Sequence, residues 1–213
     1  MADKHLVLLG GGHAHALVLK AFAKRPLEGV RVTLVGRDRH TPYSGMFPGW
    51  VAGHYGFDDT HIALEPLARA AKVQFVHDAA VAMDPTASMV SLASGRQLSY
   101  DVMSINIGST PDSGLTPGAV GTVVPVKPIG NFFARWRALL DRLENDPVPC
   151  NHKIGVVGAG AGGVELVLAM AFSLRRAPAQ PTFSLFASDR GVLPDLPESA
   201  RRIFLNVLEK RGV

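Results

Sequence analysis

Two short glycine-rich stretches hold the residues best placed to do chemistry. Gly158-x-Gly160-x-x-Gly163, with Gly162 inside it, lies between an apolar run at 154–157 and a helical pattern at 164–174. Glycine at these places removes side-chain bulk, so backbone can approach a diphosphate. The helix that follows opens with amides that lack intrahelical acceptors. In a strand–turn–helix setting this spacing predicts dinucleotide binding; outside it, the same spacing would mean only a tight turn. The other stretch, Gly10-Gly11-Gly12-His13-Ala14-His15, follows an apolar run at 5–9 and has glycine at two of the three places. His15 stands where the third glycine, which serves close helix–strand packing, is expected. His13 and His15 are read as turn residues near a phosphate.

A dinucleotide site of this kind commonly has an acidic residue at the end of the second strand, for the ribose hydroxyls. Both stretches lack it. Gly36-Arg37 follows Val35, and Ala187-Ser188-Asp189 follows Phe186. Arg37 is therefore assigned to adenine or phosphate. Ser188 and Arg190 favour NADPH, Asp189 favours NADH, and the sequence does not choose.

Other chemistries find less support. Cys150 is the only cysteine, so the sequence holds no CxxC pair, no intrachain disulfide and no cysteine zinc cluster. The eight histidines show no HExxH and no paired Cys/His spacing, and His13 and His15 do not share a helix face, so no metal is expected. A net charge of +4 is spread without the basic run or stripe of a nucleic-acid footprint, so no nucleic-acid partner is expected. No apolar run reaches the roughly 18 residues of a membrane span, and the start leads into a short strand rather than a signal peptide. A single cysteine fits a reducing compartment, and a cytoplasmic location is the expectation.

The elements that must position the two turns are legible in outline. The first turn sits in a strand–turn–helix–strand unit: apolar run 5–9, helix with Ala14, Leu17, Val18, Ala21 and Phe22 on one face, stop at Pro26, and β-branched run 30–35. Residues 40–57 read as a long functional loop, too aromatic for disorder. A helix at 63–71 and a strand at 73–76 follow. Short β segments are expected at 80–83, 89–92 and 97–100, with a turn at Ser94-Gly95. Residues 102–107 read as a buried strand, 111–121 as a Pro/Gly-rich stretch, and 132–143 as a helix whose aromatic face packs in a core. Asp146-Pro147-Val148-Pro149 marks a linker. After it the pattern repeats, with strands at 154–157 and 182–186 and helices at 164–174 and 197–210.

Several separated segments resemble one family. Tyr100-Asp101-Val102-Met103-Ser104-Ile105-Asn106-Ile107-Gly108-Ser109-Thr110-Pro111 is similar to the second flavin motif of the pyridine nucleotide–disulfide oxidoreductase superfamily. That motif is a strand ending in Ala-Thr-Gly-Ser-x-Pro; here Asn106-Ile107-Gly108 departs from Ala-Thr-Gly. Gly158 through Gly163-Val164-Glu165-Leu166 resembles the NAD(P)H motif of type II NADH dehydrogenases. Leu193-Pro194-Asp195-Leu196-Pro197, then a helix and Arg211-Gly212-Val213, is similar to that domain too. Thr41-Pro42-Tyr43-Ser44-Gly45-Met46-Phe47-Pro48-Gly49 resembles the oxidoreductase found fused to, or encoded beside, selenophosphate synthetase.

The resemblance implies an α/β fold: a Rossmann-like FAD-binding domain with small β segments at 1–149, then a partial Rossmann-like NAD(P)H-binding domain at 150–213. It implies FAD on Gly10, Gly11, Gly12, His13, Ala14, His15, Arg37, Ser44, Gly45, Met46, Val81, Ile107 and Gly108. It implies NADH or NADPH on Gly158, Gly160, Gly162, Gly163 and Glu165. A hydride would pass to the flavin and electrons onward to a small-molecule acceptor, a quinone or another. The flavin carries the chemistry, so no catalytic side chain is expected. The resemblance leaves room for a homodimer, a link to selenophosphate synthetase, and peripheral contact with the inner face of a membrane. The chain is read as a fragment without turnover, lacking later NAD(P)H-domain strands and the returning flavin segment; a short natural protein is the other reading. Competing readings are a non-catalytic dinucleotide-binding or regulatory module, and a sulfide:quinone-type enzyme, whose chemistry requires cysteines this stretch lacks.

Overall fold

A computed structural model describes residues 4–110, 118, 121–145, 152–178 and 181–213. The elements run β1 (Lys4–Leu9), α1 (His13–Lys24), β2 (Val30–Gly36), β3 (His40–Pro42), α2 (Phe47–Val51), α3 (Phe57–Thr60), β4 (His61–Ala63), α4 (Leu64–Ala70), β5 (Gln74–His77), β6 (Ala80–Asp84), β7 (Met89–Leu92), β8 (Gln97–Ser99), β9 (Val102–Ile105), α5 (Ile129–Glu144), β10 (Lys153–Val157), α6 (Ala161–Ser173), β11 (Thr182–Phe186) and α7 (Glu198–Lys210). Two compact units result: Met1–Tyr43 with His61–Leu115, and Ser44–Thr60 with Thr116–Val213. This division does not follow a single break at 149/150. The linker at 146–149, Cys150, and residues 111–117 and 119–120 of the Pro/Gly-rich stretch lie outside the described residues.

In the first unit, β1, β2, β5 and β9 form a parallel sheet in the order β5-β2-β1-β9. Side chains alternate across a strand, and β1 and β2 are covered on both faces, as inner parallel strands require; β9, expected to be a buried strand, is instead an edge strand that exposes Val102 and Ile105. Leu8, Val32 and Leu34 pack against Leu19 of α1 and Leu64 and Ala68 of α4. Val7, Leu9, Val35 and Val76 pack on the opposite face against Val90, Leu92 and Leu98. Those last three belong to the antiparallel meander β6-β7-β8, whose β7–β8 turn uses Gly95 at φ +85° as the sequence predicts. One expectation fails here. The buried face of α1 is His15, Ala16 and Leu19, while Leu17, Ala14 and Ala21 are exposed. A satisfied histidine at the centre of that face displaces the apolar stripe that hydrophobicity alone would choose.

In the second unit, β10 and β11 pair in parallel. Val164, Leu166, Val167, Ala169 and Met170 of α6 are buried in a core shared with Ile129, Phe132, Phe133, Trp136 and Leu143 of α5. Phe47, Trp50 and Val51 join this core. The stretch 40–57 is thus not a loop throughout. Phe47, Trp50 and Val51 sit at i, i+3 and i+4, the spacing of one helix face, and α2 forms despite Pro48 and Gly49 because Pro falls in its first turn. Phe47 meets Phe132 edge-on at 5.1 Å, and Trp50 lies 3.9 Å from Phe133, ring centre to ring centre. Among the described residues no helix is long and apolar enough to cross a membrane, and no His/Cys/Asp/Glu group could hold a metal ion.

Candidate functional site: two glycine turns

The first turn leaves β1 at its C-terminal end and enters α1. Gly10 takes φ +95°, a left-handed value that costs glycine little. Its N–H donates to Val35 O at 2.8 Å, continuing the ladder toward β2. On the other side Gly12 N–H donates to Asn106 O at 3.0 Å, and Asn106 N–H donates to Leu9 O at 2.8 Å. The turn is therefore stitched to both flanking strands. A methyl group at Gly10 would overlap Asn106 O, one at Gly11 would overlap Leu64 Cδ1, and one at Gly12 would overlap the Asn106 side-chain amide. α1 begins with Ala16 N–H on Gly12 O at 3.1 Å, so the amides just before Ala16 have no acceptor within the helix.

The two histidines of this turn part company. His15 is 2% exposed. Its Nδ1 lies 2.7 Å from Gly10 O and its Nε2 2.9 Å from Ser104 Oγ on β9. Its ring thus lies between the turn and β9. His13 is exposed and stacks on Tyr43, ring centres 4.5 Å apart and planes 26° off parallel. Ala14 is exposed beside it. Asn106 Oδ1 is buried without a hydrogen-bond partner among the described residues.

The remaining residues expected around the flavin are spread more widely. Arg37 is exposed at the end of β2 and pairs with Asp38 at 3.3 Å. Val81 is exposed on β6, at a register irregularity between Ala80 and Ala82. Ile107, 71% exposed, and Gly108, at φ +75°, leave β9 into the open. Ser44, Gly45 and Met46 form one turn of 3-10 helix and belong to the second unit, with α2 directly after them.

The second turn repeats the first. Gly158 takes φ +104°, and its N–H donates to Phe186 O at 2.9 Å, as Gly10 does to Val35. Val164 N–H donates to Gly160 O at 3.1 Å, the counterpart of Ala16 on Gly12. Gly163 packs so closely that any Cβ there would overlap Gly158 O. Gly158, Gly160 and Gly162 face open space. Glu165 is exposed on the second turn of α6. Leu193, buried at φ +50°, donates its N–H to Ala159 O at 2.8 Å and holds the turn from behind. In the loop after β11, Arg190 pairs with Asp195 at 2.7 Å, and the pair is exposed.

Sequence reasoning missed four supports. Ser104 and Leu64 carry no signal of their own. Asn106 registers only as a departure from a motif, and Leu193 only as part of one.

Known proteins resemble this architecture. A sulfide-quinone reductase of Aquifex aeolicus (strain VF5) is 29% identical over 106 residues, covering 49% of this chain and 24% of that protein. A probable ferredoxin reductase of Castellaniella defragrans is 28% identical over 120 residues, covering 55% of this chain and 29% of that protein. Among solved structures, NDH2 from Plasmodium falciparum in complex with NADH superimposes with a TM-score of 0.84 at 15% identity, covering 99% of this chain and 47% of that one. The match thus spans under a third of each of these curated relatives and about half of that solved chain. Residues 4–213 match the family described as pyridine nucleotide-disulphide oxidoreductase. With its Rossmann-like sheet and two glycine turns in place, the chain belongs to the pyridine nucleotide-disulphide oxidoreductase family.

Proposed function

We propose that the protein is an FAD-dependent oxidoreductase that takes a hydride from NADH or NADPH and passes electrons to a quinone or another acceptor. FAD occupies the first glycine turn and NAD(P)H the second. The observation that carries this reading is the repeat itself: a positive-φ glycine donating to the neighbouring strand, then a helix opened by a glycine carbonyl, at the C-terminal end of a parallel strand in each unit. Ligands of open α/β sheets bind at that end. The names of the relatives, a sulfide-quinone reductase and a probable ferredoxin reductase, support electron transfer to a quinone or a protein.

The residues present fit a dinucleotide. The first-turn amides of both helices are poised for an anion, and the glycines keep side chains off the approach. Among the described residues Asn106 Oδ1, beside Gly12, is an acceptor without a donor. A ligand hydroxyl would satisfy it. Turned about its last bond, the same amide offers NH2 to a phosphate oxygen instead. Bound FAD supplies the electron acceptor and NAD(P)H the hydride. The chain supplies position: strand ends fix the turns, and the turns fix the diphosphates.

The test is direct. The purified protein should be yellow with non-covalent FAD, and NADH or NADPH should bleach the flavin anaerobically in the full-length enzyme. Residues 1–213 alone should bind FAD weakly and show no nicotinamide-dependent dye reduction, since hydride transfer depends on two rings held in register. A colourless protein that ignores added FAD overturns the flavoenzyme reading. Equal turnover by residues 1–213 and the full-length enzyme overturns the second claim.

A further inference from the structure

His15 occupies the third glycine's place, is almost fully buried, and has both ring nitrogens engaged. A carbonyl oxygen only accepts, so Nδ1–H must donate to Gly10 O. In the neutral ring Nε2 is then the acceptor, and the Ser104 hydroxyl donates a hydrogen bond to it. The imidazole thereby links the first glycine's carbonyl to β9, the strand just ahead of Asn106, whose carbonyl holds Gly12.

The consequence follows from the planarity of the peptide bond. In a trans peptide, C=O and the next residue's N–H point in opposite directions. Holding Gly10 C=O inward on His15 turns Gly11 N–H outward, and Gly11 N–H has no backbone acceptor among the described residues. At the second turn the same carbonyl, Gly158 O, faces Gly163 directly, with no room for a side chain. One turn is set by close packing, the other by an imidazole spacer.

We propose that His15 is the positioning residue of the first glycine turn, an imidazole that stands in for the third glycine and aims the Gly11 amide at the FAD diphosphate. This rests on the reading of that turn as the flavin site. It carries an unintuitive consequence. Writing the full fingerprint into the sequence, by His15→Gly, damages the site, because Gly10 O then loses its donor and the space of the buried ring is left unfilled.

The experiment is a fluorescence titration of the flavin-free protein with FAD, with the unfolding midpoint measured alongside. His15→Gly and His15→Met, the latter keeping bulk but no donor, should each bind FAD roughly tenfold more weakly, the scale of one lost buried hydrogen bond. His15→Gln, which keeps both a donor and an acceptor, should recover most of that affinity. Ser104→Ala, which leaves the Gly10 bond, should lose only about two- to threefold. Leu19→Val, on the same helix and fully buried, should lower the midpoint without changing the FAD dissociation constant. Wild-type affinity in His15→Gly and His15→Met overturns the proposal. So does weakening that His15→Gln fails to repair, or that merely tracks the midpoint across all variants including Leu19→Val. Should His15→Gly not fold, the ranking Gln over Met still decides. A wild-type protein that binds no FAD is a different result: it removes the flavin reading and this proposal with it.

Discussion

At the first glycine turn Gly10 donates to Val35 on one side and Gly12 to Asn106 on the other; at the second, Gly158 donates to Phe186, and β10 pairs with β11 alone among the described residues. The shared half of this pattern, glycine N–H onto the neighbouring strand, is what a strand–turn–helix needs to direct a helix start over a sheet end. The difference lies in what backs the glycines. Gly10 and Gly12 lie against Asn106, whereas Gly158 and Gly160 face open space. At the third place the order inverts, since Gly163 is packed to contact on Gly158 O whereas His15 reaches Gly10 O with its ring. One glycine fingerprint therefore serves two physical purposes, and which glycine is indispensable differs between the turns.

The largest effect expected from that comparison is at Gly163. Its Cβ would overlap a backbone oxygen, Gly158 O, which cannot swing aside. Gly163→Ala should lower the stability of the second unit by roughly 1–3 kcal/mol, the usual cost of forcing atoms into a packed interior. It should also abolish nicotinamide binding, measured by chemical unfolding and by NADH and NADPH titration. Unchanged stability would show that α6 can shift freely, and the contrast with His15 would collapse.

Next come Gly12→Val and Gly160→Val, which separate the turns most cleanly. Both positions have φ/ψ that valine tolerates: −62°, 167° at Gly12 and −73°, −178° at Gly160. Only the neighbours differ. Gly12→Val drives its side chain into Asn106, so it should lose FAD and about 1–3 kcal/mol of stability together. A Cβ at Gly160 meets nothing within 4 Å, so with Gly160→Val the fold should stand and FAD should remain. What should go, measured in the full-length enzyme proposed above, is reduction by NAD(P)H, because the side chain enters the space proposed for the diphosphate. Flavin content, unfolding midpoint and anaerobic reduction, taken together, read out both variants. Normal flavin content in Gly12→Val would mean that this turn does not hold the cofactor.

How much of this was legible in the sequence depends on whether a signal is local. The α/β alternation, both glycine turns, the meander around Gly95 and the core face of α5 all come from spacing within a few residues, and all are present. The helix within 40–57 was masked by Pro48, Gly49 and Gly53, which read as loop punctuation although Phe47, Trp50 and Val51 carry a helical face. The burial of His15 was not legible, because hydrophobicity places a histidine outside and the two groups that satisfy it are Gly10 O and Ser104, the latter 89 residues away. Asn106 shows the same limit. Its importance lies in what its carbonyl and amide touch across the sheet, which no local pattern encodes.

The smallest expected effect concerns the opposite, N-terminal ends of the two lead strands. His5 and Arg31 are register partners on β1 and β2; in the repeat, Lys153 pairs with Thr182. His5 is 5% exposed, with Nε2 2.9 Å from Thr33 Oγ1 and Nδ1 3.0 Å from Arg31 Nη2. Arginine can only donate, so Nδ1 accepts and the ring is neutral with its proton on Nε2. Burial, then the Arg31 charge, hold His5 below its ordinary value of 6.5; the Ser99 backbone and Asp101, itself paired with Lys4 at 2.8 Å, pull weakly the other way. A histidine whose folded value is depressed binds its proton more readily once unfolded. Its contribution to stability is therefore complete above about pH 6.5 and is lost as pH falls below that toward the folded value. Asp101 is depressed as well, by Lys4 and the His5 amide, but from 3.8, so its loss comes only at lower pH. His5→Gln, which keeps a donor and an acceptor without a titrating ring, should flatten the wild-type decline in unfolding free energy between pH 7 and pH 5. Lys153→Gln in the second unit should leave that decline unchanged. Parallel pH profiles for wild type and His5→Gln would mean that the buried imidazole accommodates its second proton, and that the two units do not differ at this end of the sheet.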